Sequence, residues 1–269
     1  LCWKKMELNN KSILVIGAAG LIGSEFSQTL INNGATCLLV DRDNIRLKKL
    51  KKKLSYGLSN KTEFKKIDIL NEKQLVTFKK YIRSKYRRLD GLINLVANDP
   101  KIDKKKNFKS FEQTNLFEFQ NDLNIGLRGM MLVIKNFISL LKISKNASVV
   151  NVASDLSIIS PDHRLYSKKN RNYNSKPISY SIVKHGVVGL TKYLSTYYAS
   201  QNIRFNSISP GGVLNNQNKN FLNKVSKLVP LGRLANIQEL NSSLIYLLSD
   251  KSSYTTGINL IVDGGRSVW

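Results

Sequence analysis

Seven short apolar runs rich in β-branched residues recur along this 269-residue chain, separated by longer stretches of helical period. Strands of a parallel sheet covered on both faces are apolar throughout, and the helices that join them repeat every ~3.6 residues, so the alternation is the pattern of successive βαβ units. Strands are expected near Ser12 to Ile16, Ala35 to Val40, Thr62 to Ile67, Gly91 to Val96, Ala147 to Val152, Ile203 to Ile208 and Asn259 to Val262. Helices are expected near Leu21 to Asn33, Asn44 to Tyr56, Glu72 to Lys85, Gln113 to Leu141, Ser179 to Ser200 and Ile237 to Ser249. The implied fold class is α/β: a doubly wound parallel sheet with helices on both faces. Such a sheet binds ligands at the carboxyl ends of its strands, which is where chemistry is to be sought.

The length suits one large domain over residues 11–269, and a hydrophobic content of 42% is enough for a continuous core. Residues 1–10 are expected to be a disordered N-terminal extension, with Met6 just ahead of a sensible domain start. Two segments break the rhythm and read as loops: Asp99 to Ser110, rich in Lys, and Ser157 to Lys176, polar and containing Pro161. Both follow strands on the ligand-binding edge, where long loops usually carry function.

Cys2 and Cys37 are the only cysteines, so neither a disulfide framework nor a cysteine metal site is expected, and no metal is assigned. The first residues lack the apolar stretch of a secretory signal, and no apolar run is read as reaching bilayer length. The expectation is a cytoplasmic protein that engages no membrane. The net charge of +25 raises nucleic acid as a partner. Lys and Asn are abundant from end to end, however, as at Lys48 to Lys53 and Asn215 to Asn220, which reads as compositional bias rather than a specific nucleic-acid surface.

Directly after the first strand comes Gly17-Ala18-Ala19-Gly20-Leu21-Ile22-Gly23, opening a helix. Glycines let the backbone turn sharply and approach a pyrophosphate, and the helix N-terminus offers unpaired N–H groups with a favourable dipole. Between strand and helix at the start of a βαβ series, this turn is the dinucleotide-binding signature of a Rossmann fold, with Gly17, Ala19, Leu21, Ile22 and Gly23 against the cofactor. The second strand ends at Asp41, placed to hydrogen-bond the adenosine ribose hydroxyls and to repel a 2′-phosphate, which favours NAD(H) over NADP(H). Arg42 beside it could instead accommodate that phosphate.

Tyr180 and Lys184 lie one helical turn apart on one face. A phenol, with an ordinary pKa of about 10, works as an acid/base near neutrality only if a cation stabilises its phenolate, and Lys184 supplies one. Ser154 ends a buried strand at the ligand edge, where its hydroxyl can hold a substrate carbonyl or alcohol beside Tyr180. Asn124, a mid-helix amide, could steady a water linking Lys184 to solvent.

With these residues in order, the sequence resembles the short-chain dehydrogenase/reductase family over nearly its whole length. Further matches are Asp68-Ile69 after the third strand, Ser209-Pro210-Gly211-Gly212, Pro230-Leu231-Gly232-Arg233 and Val262-Asp263-Gly264-Gly265. The resemblance implies that Asp68 and Ile69 meet the adenine, that Lys184 meets the nicotinamide ribose, and that Pro210, Gly211 and Val213 lie on the nicotinamide side. It also implies a homodimer or homotetramer built on the helices holding Asn124 and Tyr180. Ile16 replaces the Thr usual before the first glycine and Leu21 the middle glycine, and neither abolishes the turn. The usual Asn-Asn-Ala-Gly after the fourth strand is Asn94-Leu95-Val96-Ala97, which loses a polar residue and leaves Asn94 and Ala97 as the cofactor contacts there.

The interval from Ser154 to Tyr180 is longer than usual and resembles that of a branch found with bacterial surface-sugar and flagellin-glycan pathways, the PtmA-like oxidoreductases. That insertion, 157–176, is read as a substrate lid, with Asp155, His163 and Arg164 as candidate contacts to a small-molecule substrate. The expected activity is interconversion of a secondary alcohol and a ketone, on a sugar or sugar-derived metabolite, with NAD(H). The rivals are an NADPH-dependent 3-oxoacyl carrier-protein reductase and a non-catalytic dinucleotide-binding protein, the latter suggested by Leu95.

Overall fold

In the computed structural model, residues 7–54, 62–98, 111–165 and 176–269 are described. Seven parallel strands, β1 (Ser12–Ile16), β2 (Thr36–Asp41), β3 (Thr62–Lys66), β4 (Gly91–Asn94), β5 (Ala147–Val152), β6 (Ile203–Pro210) and β7 (Asn259–Val262), form one sheet. Their order is 3-2-1-4-5-6-7, so the chain starts in the middle and winds outward in both directions. The reversal lies between β1 and β4, which puts a crevice at their carboxyl ends.

The strands sort their side chains by parity. Leu14 and Ile16 join the core on one face with Phe78, Phe137 and Val183, from α3 (Glu72–Tyr86), α5 (Gly129–Leu141) and α6 (Ile178–Tyr197). Ile13 and Val15 join the opposite core with Phe26, Leu50 and Leu244, from α1 (Leu21–Asn32), α2 (Asn44–Leu54) and α8 (Asn241–Leu248). The doubly wound α/β fold expected from the sequence is thus present. The abundant Asn residues serve as helix caps: Asn71 accepts the Gln74 N–H ahead of α3, Asn115 does the same for α4 (Leu116–Leu123), and Asn218 for α7 (Lys219–Ser226).

Four expectations change. The long helix foreseen over Gln113 to Leu141 is α4 and α5 joined by a π-helical turn, Asn124–Arg128. Gly126 in that turn lies against Val183 of α6 so closely that a Cβ would strike its methyl group, and the extra residue in the turn accompanies this close approach. The run Leu116–Leu141 is long and apolar enough, by length and composition, to cross a bilayer, contrary to the sequence reading. Half of its most apolar stretch is buried, with Met130, Val133 and Phe137 in the core, and it is a core helix. Helix α7 was not foreseen because its apolar residues are interspersed with Lys and Asn. It packs Phe221, Leu222 and Val225 with Leu165 and Leu234 in a small third cluster. Finally, residues 7–10 of the segment expected to be disordered belong to the fold, with Leu8 fully buried and its N–H donated to Asn33 O at 3.1 Å. Residues 1–6, the whole of the expected 99–110 loop and 166–175 of the insertion lie outside the described residues.

Candidate active site

The turn after β1 is held from beneath by β2, since the Gly17 and Ala18 N–H groups both donate to Val40 O, at 2.9 and 3.0 Å. Gly17 takes φ +83°, and a Cβ on Gly23 would collide with Gly17 O, so the close packing of turn on helix requires glycine at both places. In contrast to the Asn-capped helices, α1 has no side-chain cap and no acidic residue in its first turn, leaving its N-terminus suited to an anion. Leu21 points outward and Ile22 packs on the core.

Asp41 closes this cradle on the ribose side. One carboxylate oxygen accepts the Ala19 N–H at 3.0 Å and the other the Asp43 N–H at 3.0 Å. The carboxylate is therefore fixed beside the turn with lone pairs to spare. Arg42 is exposed and lines a surface cleft with Asp68, Lys65, Lys66 and Lys73. Asp68 accepts the Leu70 N–H at 2.9 Å, while the Ile69 side chain turns inward against Gly129. A glycine cradle, an uncapped helix and an oriented carboxylate in a row fit a dinucleotide.

Across the crevice, α6 lies over the end of β5. Lys184 is 5% exposed, and its Nζ donates to Val152 O at 2.9 Å, two residues before Ser154. The same ammonium stands 5.6 Å from the centre of the Tyr180 ring, and Lys176 approaches that ring at 4.7 Å. Two ammonium groups thus approach the Tyr180 ring, one from its own helix and one from the segment ahead of it. Ser154 is buried; its Oγ accepts the Leu156 N–H at 3.2 Å and donates to Asp155 Oδ1 at 2.8 Å. Asn124 opens the π turn, half-buried, with its Oδ1 accepting from Gln120 at 3.3 Å. Near the start of α6, Ser179 donates to Asp122 of α4, which also accepts from Asn98 on the loop after β4 at 2.8 Å. On the far side Gly211 follows Pro210 at the end of β6, so close to Asp263 that a Cβ would meet its Cα at 2.7 Å, and Val213 is bridged to Ala235.

Several residues singled out in the sequence do other work. Asn94 is 1% exposed and donates its side-chain amide to Asn151 Oδ1 at 2.8 Å, its register partner on β5, so that amide is engaged within the sheet. Ala97 sits on the loop after β4, half-buried. Asp155 is not open to a substrate: its Oδ2 is taken by Arg266 at 2.6 Å. Arg164 is clasped by Asp162, whose carboxyl it holds below the ordinary carboxylate range, and His163 is exposed beside it. Arg266 itself was missed, since 111 residues separate it from Asp155 and no local pattern marks it.

A family model described as enoyl-(acyl carrier protein) reductase matches residues 17–267. The chain belongs to the short-chain dehydrogenase/reductase family. Among curated relatives of this dehydrogenase/reductase, post-translational flagellin modification protein A of Campylobacter coli is 28% identical over 96% of this chain and 98% of its own. The 3-oxoacyl-(acyl-carrier-protein) reductase of Thermotoga maritima is 27% identical over 97% and 99%. A solved short-chain dehydrogenase from Leptospira borgpetersenii with bound NAD+ superposes with TM-score 0.83 at 29% identity, over 97% of this chain and 94% of that one. This short-chain dehydrogenase/reductase is a nicotinamide-dinucleotide oxidoreductase acting on CH–OH groups.

Proposed function

We propose that the protein interconverts a secondary alcohol and a ketone on a sugar or sugar-derived metabolite, with NAD(H) favoured over NADP(H). The observation that carries the chemistry is the Lys184 ammonium, buried at the end of β5 and 5.6 Å from the Tyr180 ring. In the oxidative direction Tyr180, as phenolate, takes the proton of the substrate hydroxyl; in reduction it returns that proton. Ser154 orients the substrate oxygen, Lys184 stabilises the phenolate and meets the ribose, and Asn124 holds the relay that returns protons to solvent. When bound, the nicotinamide ring supplies the acceptor or donor of the hydride. Gly17, Ala19, Leu21, Ile22 and Gly23 would hold the pyrophosphate, Asp68 and Ile69 the adenine, and Pro210, Gly211 and Val213 the nicotinamide side.

The cofactor preference rests on Asp41, whose fixed carboxylate suits two ribose hydroxyls and repels a 2′-phosphate. The sugar reading rests on the 157–176 insertion and on likeness to the Campylobacter coli flagellin modification protein. Exposed apolar side chains on α4 to α6, Phe117, Met131, Tyr193 and Tyr197 among them, support a homodimer or homotetramer built on those helices.

Tyr180→Phe tests the assignment. Turnover is expected to fall by at least about 100-fold, the usual share of a positioned acid/base, with NADH affinity kept; substantial residual activity sinks the assignment. Parallel fluorescence titrations with NADH and NADPH test the cofactor. Tighter NADPH binding would favour the second reading, a carrier-protein reductase, which the basic cleft of Arg42, Lys65, Lys66 and Lys73 and the net charge of +25 support.

A further inference from the structure

The C-terminal turn reaches the catalytic end of the sheet through a residue that the cofactor cradle and the Tyr180 face do not use. After β7, Asp263 folds the chain back: its carboxylate accepts the Gly265 N–H at 2.9 Å and the Ser267 N–H at 2.8 Å, and Gly264 and Gly265 take φ of 69° and 88°. The reversal drives Arg266 inward. Its side chain is 10% exposed and that of Asp155 5%, and Arg266 Nη1 donates to Asp155 Oδ2 at 2.6 Å. The other oxygen of Asp155 accepts the Leu156 N–H and the Ser154 hydroxyl, both at 2.8 Å. One buried carboxylate thus stands between Arg266 and Ser154.

A serine hydroxyl carries a single proton. That of Ser154 goes to Asp155, so a substrate oxygen that needs a donor must draw it away. How firmly Asp155 keeps it depends on the charge left on its carboxylate. The guanidinium on Oδ2 draws that charge toward itself, making Oδ1 the weaker competitor, and pins the carboxylate in place. Without Arg266 a buried, uncompensated carboxylate would hold the proton harder or turn toward solvent, and either would misplace Ser154.

We propose that Arg266 is a positioning residue of the hydride-transfer site: through Asp155 it keeps Ser154 oriented while leaving its proton available to the substrate oxygen. The inference rests on the reading of Ser154 as the group that orients that oxygen.

Arg266→Gln and Arg266→Lys are compared with the wild type by NADH fluorescence titration, by crystal structure, and by NAD+ reduction with sorbitol, gluconate and cyclohexanol as probe alcohols. In R266Q, NADH affinity is expected to stay at the wild-type level and Ser154 Oγ to leave hydrogen-bond reach of Asp155 or of its wild-type position. On the alcohol that the wild type oxidises, kcat should fall roughly 100-fold, as for a misplaced reacting group, with KM little changed. The Lys variant, which retains the charge, should recover most of that loss. An R266Q enzyme with wild-type kcat and an unmoved Ser154 overturns the proposal. So does joint loss of NADH affinity and kcat with no rescue by Lys, which marks a structural role. If R266Q does not fold, Arg266→Met, which fills similar space without charge or donor, carries the test, and unchanged kcat with unmoved Ser154 and Asp155 again overturns it. A wild type that binds NADH but oxidises none of the probes counts against the proposed substrate reading instead, and the position of Ser154 in R266Q then decides the inference alone.

Discussion

At residue scale the turn after β1, proposed to cradle the cofactor, depends on atoms that are absent. A methyl group on Gly23 would collide with Gly17 O, and neither backbone can yield without opening the turn. Gly23→Ala is therefore expected to weaken NADH binding by at least about tenfold, the equivalent of one lost hydrogen bond to pyrophosphate, read by fluorescence titration. Wild-type affinity in that variant would place the pyrophosphate elsewhere. This turn, Asp41 and the Tyr180–Lys184 pair were legible in the sequence because each is a local pattern: a fixed spacing on one turn, one strand end or one helix face. The partners of Asn94 and Asp155 were not legible, for the opposite reason. Those partners, Asn151 and Arg266, lie 57 and 111 residues away, and nothing near them in the chain tells a ligand contact from a core hydrogen bond.

At the scale of elements, the outer strand β3 is clamped to α3 by one carboxylate. Glu63 accepts the hydroxyls of Tyr81 and Tyr86 at 2.6 Å and the Lys85 ammonium at 2.5 Å. Partial burial opposes its charge, but Lys85 and the two phenols outweigh it and hold the Glu63 carboxyl below its ordinary range, while burial and Glu63 push the Tyr86 phenol up to about 12. A carboxylate with a lowered folded-state pKa contributes stability that is present above its unfolded pKa and is lost as pH falls through the folded value. Glu63→Gln should cost about 2 kcal/mol at pH 7, since charged hydrogen bonds are replaced by neutral ones, and the difference from wild type should shrink in urea titrations below the ordinary Glu range. A difference independent of pH would mean that the clamp works by shape alone. The elements themselves were largely readable, but their interruptions were not. The π turn at Asn124–Arg128 accompanies the approach of Gly126 to Val183, and α7 finds its apolar partners only in Leu165 and Leu234.

At the scale of the whole molecule, one sheet divides two cores, and each strand feeds both by alternation. Phe137 is fully buried in the core beneath α3, α5 and α6, with its ring edge-on to Phe78 at 6.2 Å. Phe137→Ala should cost about 4 kcal/mol, a large part of the stability of an ordinary domain, and lower the urea midpoint with little change in slope. A loss below about 1 kcal/mol would mean that this core can collapse into the space. Periodicity and turn chemistry, written within a few residues of each other, determined the doubly wound sheet, the glycine turn after its first strand and the phenol–ammonium pair before any coordinates. Only the tertiary structure decided that Asn94 serves the core, that Asp155 is bound from the C-terminus, and that the 157–176 insertion begins by packing Leu165 on α7. Those outcomes depend on which distant groups the closed fold brings within hydrogen-bond or van der Waals reach, and local pattern along a chain holds no record of that distance.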